Sequence, residues 1–113
     1  MIFKLYEHLK ENDINVYFIG QHTGLCNNNY VVLKDSGSTS FTGKNGKSII
    51  DVIFFAPQNR FTNLRDFKAV VIETIKEFGE LRYTGVETPI VADDEKKALT
   101  FSIMYENLRK MEG

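Results

Sequence analysis

The sequence predicts an α+β domain in which two helices pack on a mostly antiparallel sheet of four to five strands, ordered α-β-β-β-α-β-β. Three observations carry that prediction. The C-terminal run from Ala98 to Leu108 alternates almost without a break. Leu99, Phe101, Ile103 and Tyr105 fall on one side, and Thr100, Ser102, Met104 and Glu106 on the other, as in a strand with one face on a core. Leu64, Phe67, Val71, Ile75 and Phe78 recur at helical spacing and form one apolar stripe. Residues 48–56 are apolar on both faces except at Asp51, which reads as a strand covered on both sides, by this chain or by a neighbouring subunit.

The remaining elements follow in chain order. Ile2, Leu5, Tyr6 and Leu9 give a first amphipathic helix over residues 2–12, stopped by Asn12-Asp13. A short strand over 14–19 ends at Gly20, and a polar loop runs from Gln21 to Asn29. Tyr30 to Lys34 is a second strand. Residues 35–47, rich in Ser, Thr and Gly, read as the flexible segment of the chain, with Asn45-Gly46 as a hairpin turn because both residue types tolerate positive φ. The strand from Ser48 to Ala56 ends at Pro57. The second helix spans about Asn63 to Phe78, with Gly79 placed to close it. Leu81 to Val86 is a short strand, and an acidic loop at Asp93-Asp94-Glu95 precedes the last one.

At 113 residues the chain makes one domain, residues 1–113, without internal repeats. Fourteen basic and fifteen acidic residues leave a net charge of −1, which lacks the basic excess that sequence-independent nucleic-acid binding needs. No apolar run approaches the roughly 20 residues of a membrane span. Cys26 is the one cysteine, so the chain has no internal disulfide and fits a reducing compartment. Nine Phe and five Tyr, with no Trp, are a surplus that fills a dense core or leaves aromatic surface for a partner.

No group of residues reads as built for catalysis. Gly43 to Ser48 resembles a phosphate-binding loop, but the position for its first glycine holds Phe41 and the segment opens a strand rather than a helix. His22 and Cys26 are two metal-ligand types where zinc recruits three or four, and Cys26 as a nucleophile has only His22 near in sequence. The Asp93-Asp94-Glu95 turn lacks the glycine-punctuated spacing of a calcium loop, and Lys96 and Lys97 neutralise much of its charge. Asp51 faces either a polar side chain on a neighbouring strand or a basic residue across a subunit boundary. The expectation is no enzyme, no cofactor and no metal.

With the elements placed, the chain resembles the tail completion, or tail terminator, proteins of long-tailed bacteriophages and related phage-like particles. Four segments carry the likeness in order: Leu5 to Leu9, Tyr30 to Gly37, Gly46 to Pro57, and Leu81 to Pro89 leading into Phe101 to Asn107. None encodes a reaction; the specificity lies in their order and spacing. The resemblance implies a small structural subunit, made in the bacterial host cytoplasm, that closes as a homo-oligomeric ring, typically a hexamer, on the upper end of the tail tube. Such a ring stops tube polymerisation and offers the surface that the head-tail connector joins, so the implied partners are the tube protein and the connector, and the implied location is the virion. A ring needs two different, complementary patches on each subunit. Ile49, Asp51, Ile53 and Phe55 are the candidate interface residues, and Ser38, Phe41, Lys44 and Lys47 belong to a segment expected to order on assembly. Two other readings stand beside this one: another neck component such as a connector adaptor, and a small-ligand-binding α+β domain, which needs a pocket with converging polar groups.

Overall fold

Two helices lie across one face of a six-stranded sheet in the computed structural model, which describes residues 2–20, 28–40, 45–58, 61–79 and 81–110. The elements are α1 (Ile2–Glu11), β1 (Val16–Phe18), β2 (Tyr30–Ser40), β3 (Asn45–Pro57), α2 (Phe61–Phe78), β4 (Arg82–Glu87), β5 (Val91–Asp93) and β6 (Ala98–Lys110). The sheet order is β1-β2-β3-β6-β4, with β5 pairing β6 further along the side that β4 occupies. All pairings are antiparallel except β1 with β2. The fold is the α+β arrangement that the sequence predicts. The sixth strand, β5, arises because the start of the acidic loop is extended and hydrogen-bonds β6 before the chain turns.

Alternation decides the layering. Ile50, Val52, Phe54 and Ala56 of β3 and Phe101, Ile103 and Tyr105 of β6 are buried toward the helices. Leu5 and Leu9 of α1 and Leu64, Val71 and Ile75 of α2 close over them, as the helical stripes require. At the centre Phe54 stacks on Phe101 with ring centroids 4.6 Å apart, and Phe67 of α2 meets Phe54 edge-on at 6.0 Å. The helices are tied to each other by His8, whose Nε2 donates to the Thr74 carbonyl at 2.8 Å.

Helix ends use the residues the sequence offers. Asp13 takes φ +61° after α1, and the N–H groups of Asn12, Asp13 and Ile14 cap the last carbonyls of that helix. Gly79 at φ +78° closes α2, its N–H donating to the Ile75 carbonyl. The helix begins at Phe61, two residues before the Asn63 start that the sequence pattern suggests.

The largest departure is in the segment read as flexible. Residues 36–40 and 45–48 are strand, with Ser40 opposite Gly46 and Asn45 opposite Lys110, so Asn45-Gly46 lies within β3. A local pair signal loses here to a third strand, because β6 runs alongside β3 from Pro57↔Ala98 to Asn45↔Lys110 and holds it extended. Beyond the last core row, Ile50 beside Tyr105, the β2-β3-β6 ribbon continues for about five rows, roughly 17 Å. The chain is accordingly elongated, 51 × 25 × 25 Å.

Truncating Phe54 to Ala removes a fully buried ring from between Phe67 and Phe101 and is expected to cost about 3–5 kcal/mol in urea unfolding. Phe55→Ala, in the smaller cluster on the opposite face, should cost less; equal losses would contradict the placing of the main core under the helices.

Candidate functional site

The four interface candidates of β3 share one face of the sheet, the one away from α1 and α2. In register, Ile49 lies between Gly37 and Glu106, Asp51 between Lys34 and Met104, Ile53 between Val32 and Ser102, and Phe55 between Tyr30 and Thr100. No described helix lies over this face. Tyr30, Phe55 and Ala98 form a small second cluster there, with Tyr17, Val32 and Ile53 packed against it and part-exposed. Phe55 stacks on Tyr30 at 4.8 Å and is itself 9% exposed, so it supports this surface from beneath. Ile49 and Ile53 remain partly exposed. Asp51 is half-buried, with Lys34 as its register neighbour in the same chain. Beside Ile53 the face dips into a hollow of about 270 Å³ bordered by Ile19, Val32, Ile53, Phe55 and Lys96.

Exposed apolar side chains concentrate at the sheet edges. Phe3 and Ile19 stand out near β1, and Tyr83, Val86, Ile90 and Val91 are exposed along β4 and β5, Tyr83 level with Tyr105 on the helix side and Val91 level with Thr100 on the other. Lys10 reaches around the β1 edge, its ammonium 5.7 Å from the Tyr6 ring centroid and 6.0 Å from that of Tyr17. A lysine there discourages an incoming strand.

Between α2 and β4 the structure opens a cleft of about 500 Å³, which sequence reasoning did not find. It exists because β4 bulges away from β6. Tyr83 pairs with Tyr105 and Glu87 with Ile103, so three residues of β4 span one of β6. Gly85 accommodates the bulge at φ +86°. Thr84 Oγ1 donates to the Met104 carbonyl and the Ser102 N–H donates to Thr88 Oγ1, so side chains replace part of the ladder. Ile72, Ile75, Leu81 and Ile103 supply the apolar wall. Lys68 Nζ bridges to Glu87 Oε1 at 2.8 Å, and the Tyr83 hydroxyl donates to Glu87 Oε2 at 2.6 Å. These contacts, Lys68 first and Tyr83 second, hold the Glu87 carboxyl below its ordinary range. Arg82 is engaged elsewhere, donating through Nε and Nη2 to the buried Glu106 carboxylate. In the sequence the one hint of this cleft is Ile72, an extra apolar residue beside the α2 stripe.

The other sequence candidates fall as follows. Ser38 and Lys47 stand in β2 and β3, with backbone register to Ser48 and Thr39. Phe41, Lys44, His22 and Cys26 lie outside the described residues. Asn45 to Ser48 of the phosphate-loop-like segment is strand. Asp93 accepts from the N–H groups of Glu95 and Lys96, which makes the acidic run a local turn. Compared with known proteins, the chain matches no family model and no curated protein.

Burial pushes the Tyr105 hydroxyl up to about 12, with smaller contributions from Tyr83 and Glu87. The unfolded chain releases that proton near 10, so the contribution of Tyr105 to stability is complete below about pH 10 and is lost as pH rises toward 12. Denaturation followed across that window should show the loss in the native protein, and Tyr105→Phe should flatten it.

Proposed function

We propose that this chain is a structural assembly subunit that closes as a ring on the end of a phage tail tube, stops its growth and presents the surface to which the head connector joins. The order and spacing of the four segments resembling tail terminators motivate the reading. One feature of the geometry supports it: the chain carries two unlike apolar regions, a hollow beside Ile53 on the uncovered face and exposed Val86, Ile90 and Val91 along the far edge. Two unlike patches that fit each other define a head-to-tail interface, which closes into a ring when the rotation is right. Large apolar groups standing in water along one edge are also what a surface reserved for a protein partner exhibits.

The interface arithmetic is testable in solution and at the particle. Val86→Glu spoils the far edge and leaves the hollow; Ile53→Glu does the reverse. Each variant alone should fail to form rings, while an equimolar mixture should give dimers by sedimentation velocity, since one intact half of the interface survives in each. Rings from either variant alone would contradict this interface. At the particle, deleting the gene should produce overlong or unjoined tails in electron micrographs. Tails of normal length lacking heads would favour a connector adaptor instead, and unchanged particles would remove the assembly reading.

A further inference from the structure

β4 is fastened to the fold unlike any strand of the core. All six of its residues are exposed except Thr84, which is half-buried, and none belongs to the main core cluster. Burial of apolar surface, the chief term holding a strand in place, therefore contributes little to it. The ladder is short as well. Arg82 and Tyr83 pair with Glu106 and Tyr105, and Glu87 pairs with Ile103, while Thr84, Gly85 and Val86 have no partner position on β6. One footing of the strand is Arg82, which donates to the buried Glu106 carboxylate. The other is Thr88, whose N–H donates to the Ser102 carbonyl at 2.9 Å and whose Oγ1 accepts from the Ser102 N–H at 2.8 Å. Between them the chain arches, held by the Thr84 hydroxyl on the Met104 carbonyl and turned at Gly85, whose φ of +86° glycine adopts without strain.

One carboxylate ties this arch to the helix layer. Glu87 receives the Lys68 ammonium of α2 on Oε1 at 2.8 Å and the Tyr83 hydroxyl on Oε2 at 2.6 Å. Lys68 is itself placed against the core, its ammonium 5.2 Å from the centroid of the Phe101 ring. Lys68, Tyr83 and Glu87 all line the cleft, so the link joins its two walls. We infer that β4 is a strap that opens locally between its footings while the core stays folded, and that Glu87 is the latch that keeps it closed. Opening widens the cleft and bares the edge of β6 around Ile103. Val86 rides on the strap, but the strap's own contacts lie within one chain and do not depend on the ring.

Amide hydrogen exchange of the full chain, read residue by residue, tests both statements. The Thr88 amide should exchange at least tenfold faster than those of Val52 and Phe54, and its rate should change little in low urea, because a local opening exposes little surface. Glu87→Gln should speed exchange at Thr88 about two- to fivefold, the scale of a partly exposed ion pair, with Val52 and Phe54 unmoved. Lys68→Met should act in the same direction, and the double variant should match Glu87→Gln alone, since both substitutions break one contact. Exchange at Thr88 that tracks Val52 and Phe54 through urea would overturn the local opening. An unchanged Thr88 rate in Glu87→Gln, or additive effects of the two substitutions, would overturn the latch.

Discussion

The pairing of β6 with β3 along the full length of both strands is the constraint on which the structure depends. Thirteen registered positions, from Pro57↔Ala98 to Asn45↔Lys110, join the last element of the chain to one near its middle. Because side chains alternate strictly, this register puts Phe54 beside Phe101 and Val52 beside Ile103 under the helices. A slip of one residue would turn that core outward and bring Asp51 in. The Phe54–Phe101 stack then gives Phe67 an edge to pack against, which sets where α2 crosses the sheet. α1 is placed in turn by α2, through His8 and Thr74, and by β1, where Tyr6 stacks on Phe18 at 4.5 Å.

Helices on one side leave the other side of a six-stranded sheet to be managed without them. A soluble antiparallel sheet usually answers with polar residues outward. β6 does so with Thr100 and Ser102, whereas β3 and β2 answer with Ile49, Ile53, Phe55, Tyr30 and Val32. The aromatic pair Tyr30–Phe55 buries part of that surface within the chain, and the rest stays partly open. The asymmetry between a polar β6 and an apolar β2–β3 on the same face suits a surface that meets a partner over part of its width.

The edge strand obeys a different logic. β4 is held to β6 by a few ladder bonds and by threonine side chains, so it stands off from the core and leaves the cleft beside α2. A bulged edge is also a poor template for another strand, which protects the sheet while still displaying Tyr83 and Val86. The same irregularity leaves the cavity beside α2 and an exposed Val86 at the edge.

Periodicity alone carried much of this protein. The two helices, the central position of apolar β3 and the two faces of β6 are local patterns, readable because burial on one side imposes a period of two or of 3.6 on the residues. Gly79 and Asn12-Asp13 are likewise legible, since their conformational freedom is a property of the residue itself. Asn45-Gly46 misled for the complementary reason: a turn preference worth little was outweighed by strand pairing to residues sixty positions away. The interface candidates on β3 could be picked as odd residues in an apolar run, but which of their two faces the helices cover is settled by packing. The cleft was beyond sequence reading altogether. Its walls come from α2, β4 and β6, and it opens because of a bulge at Gly85; the distance between those elements is not written in any one segment. Local pattern determines which residues seek a core, and the tertiary fold decides which surfaces are left over.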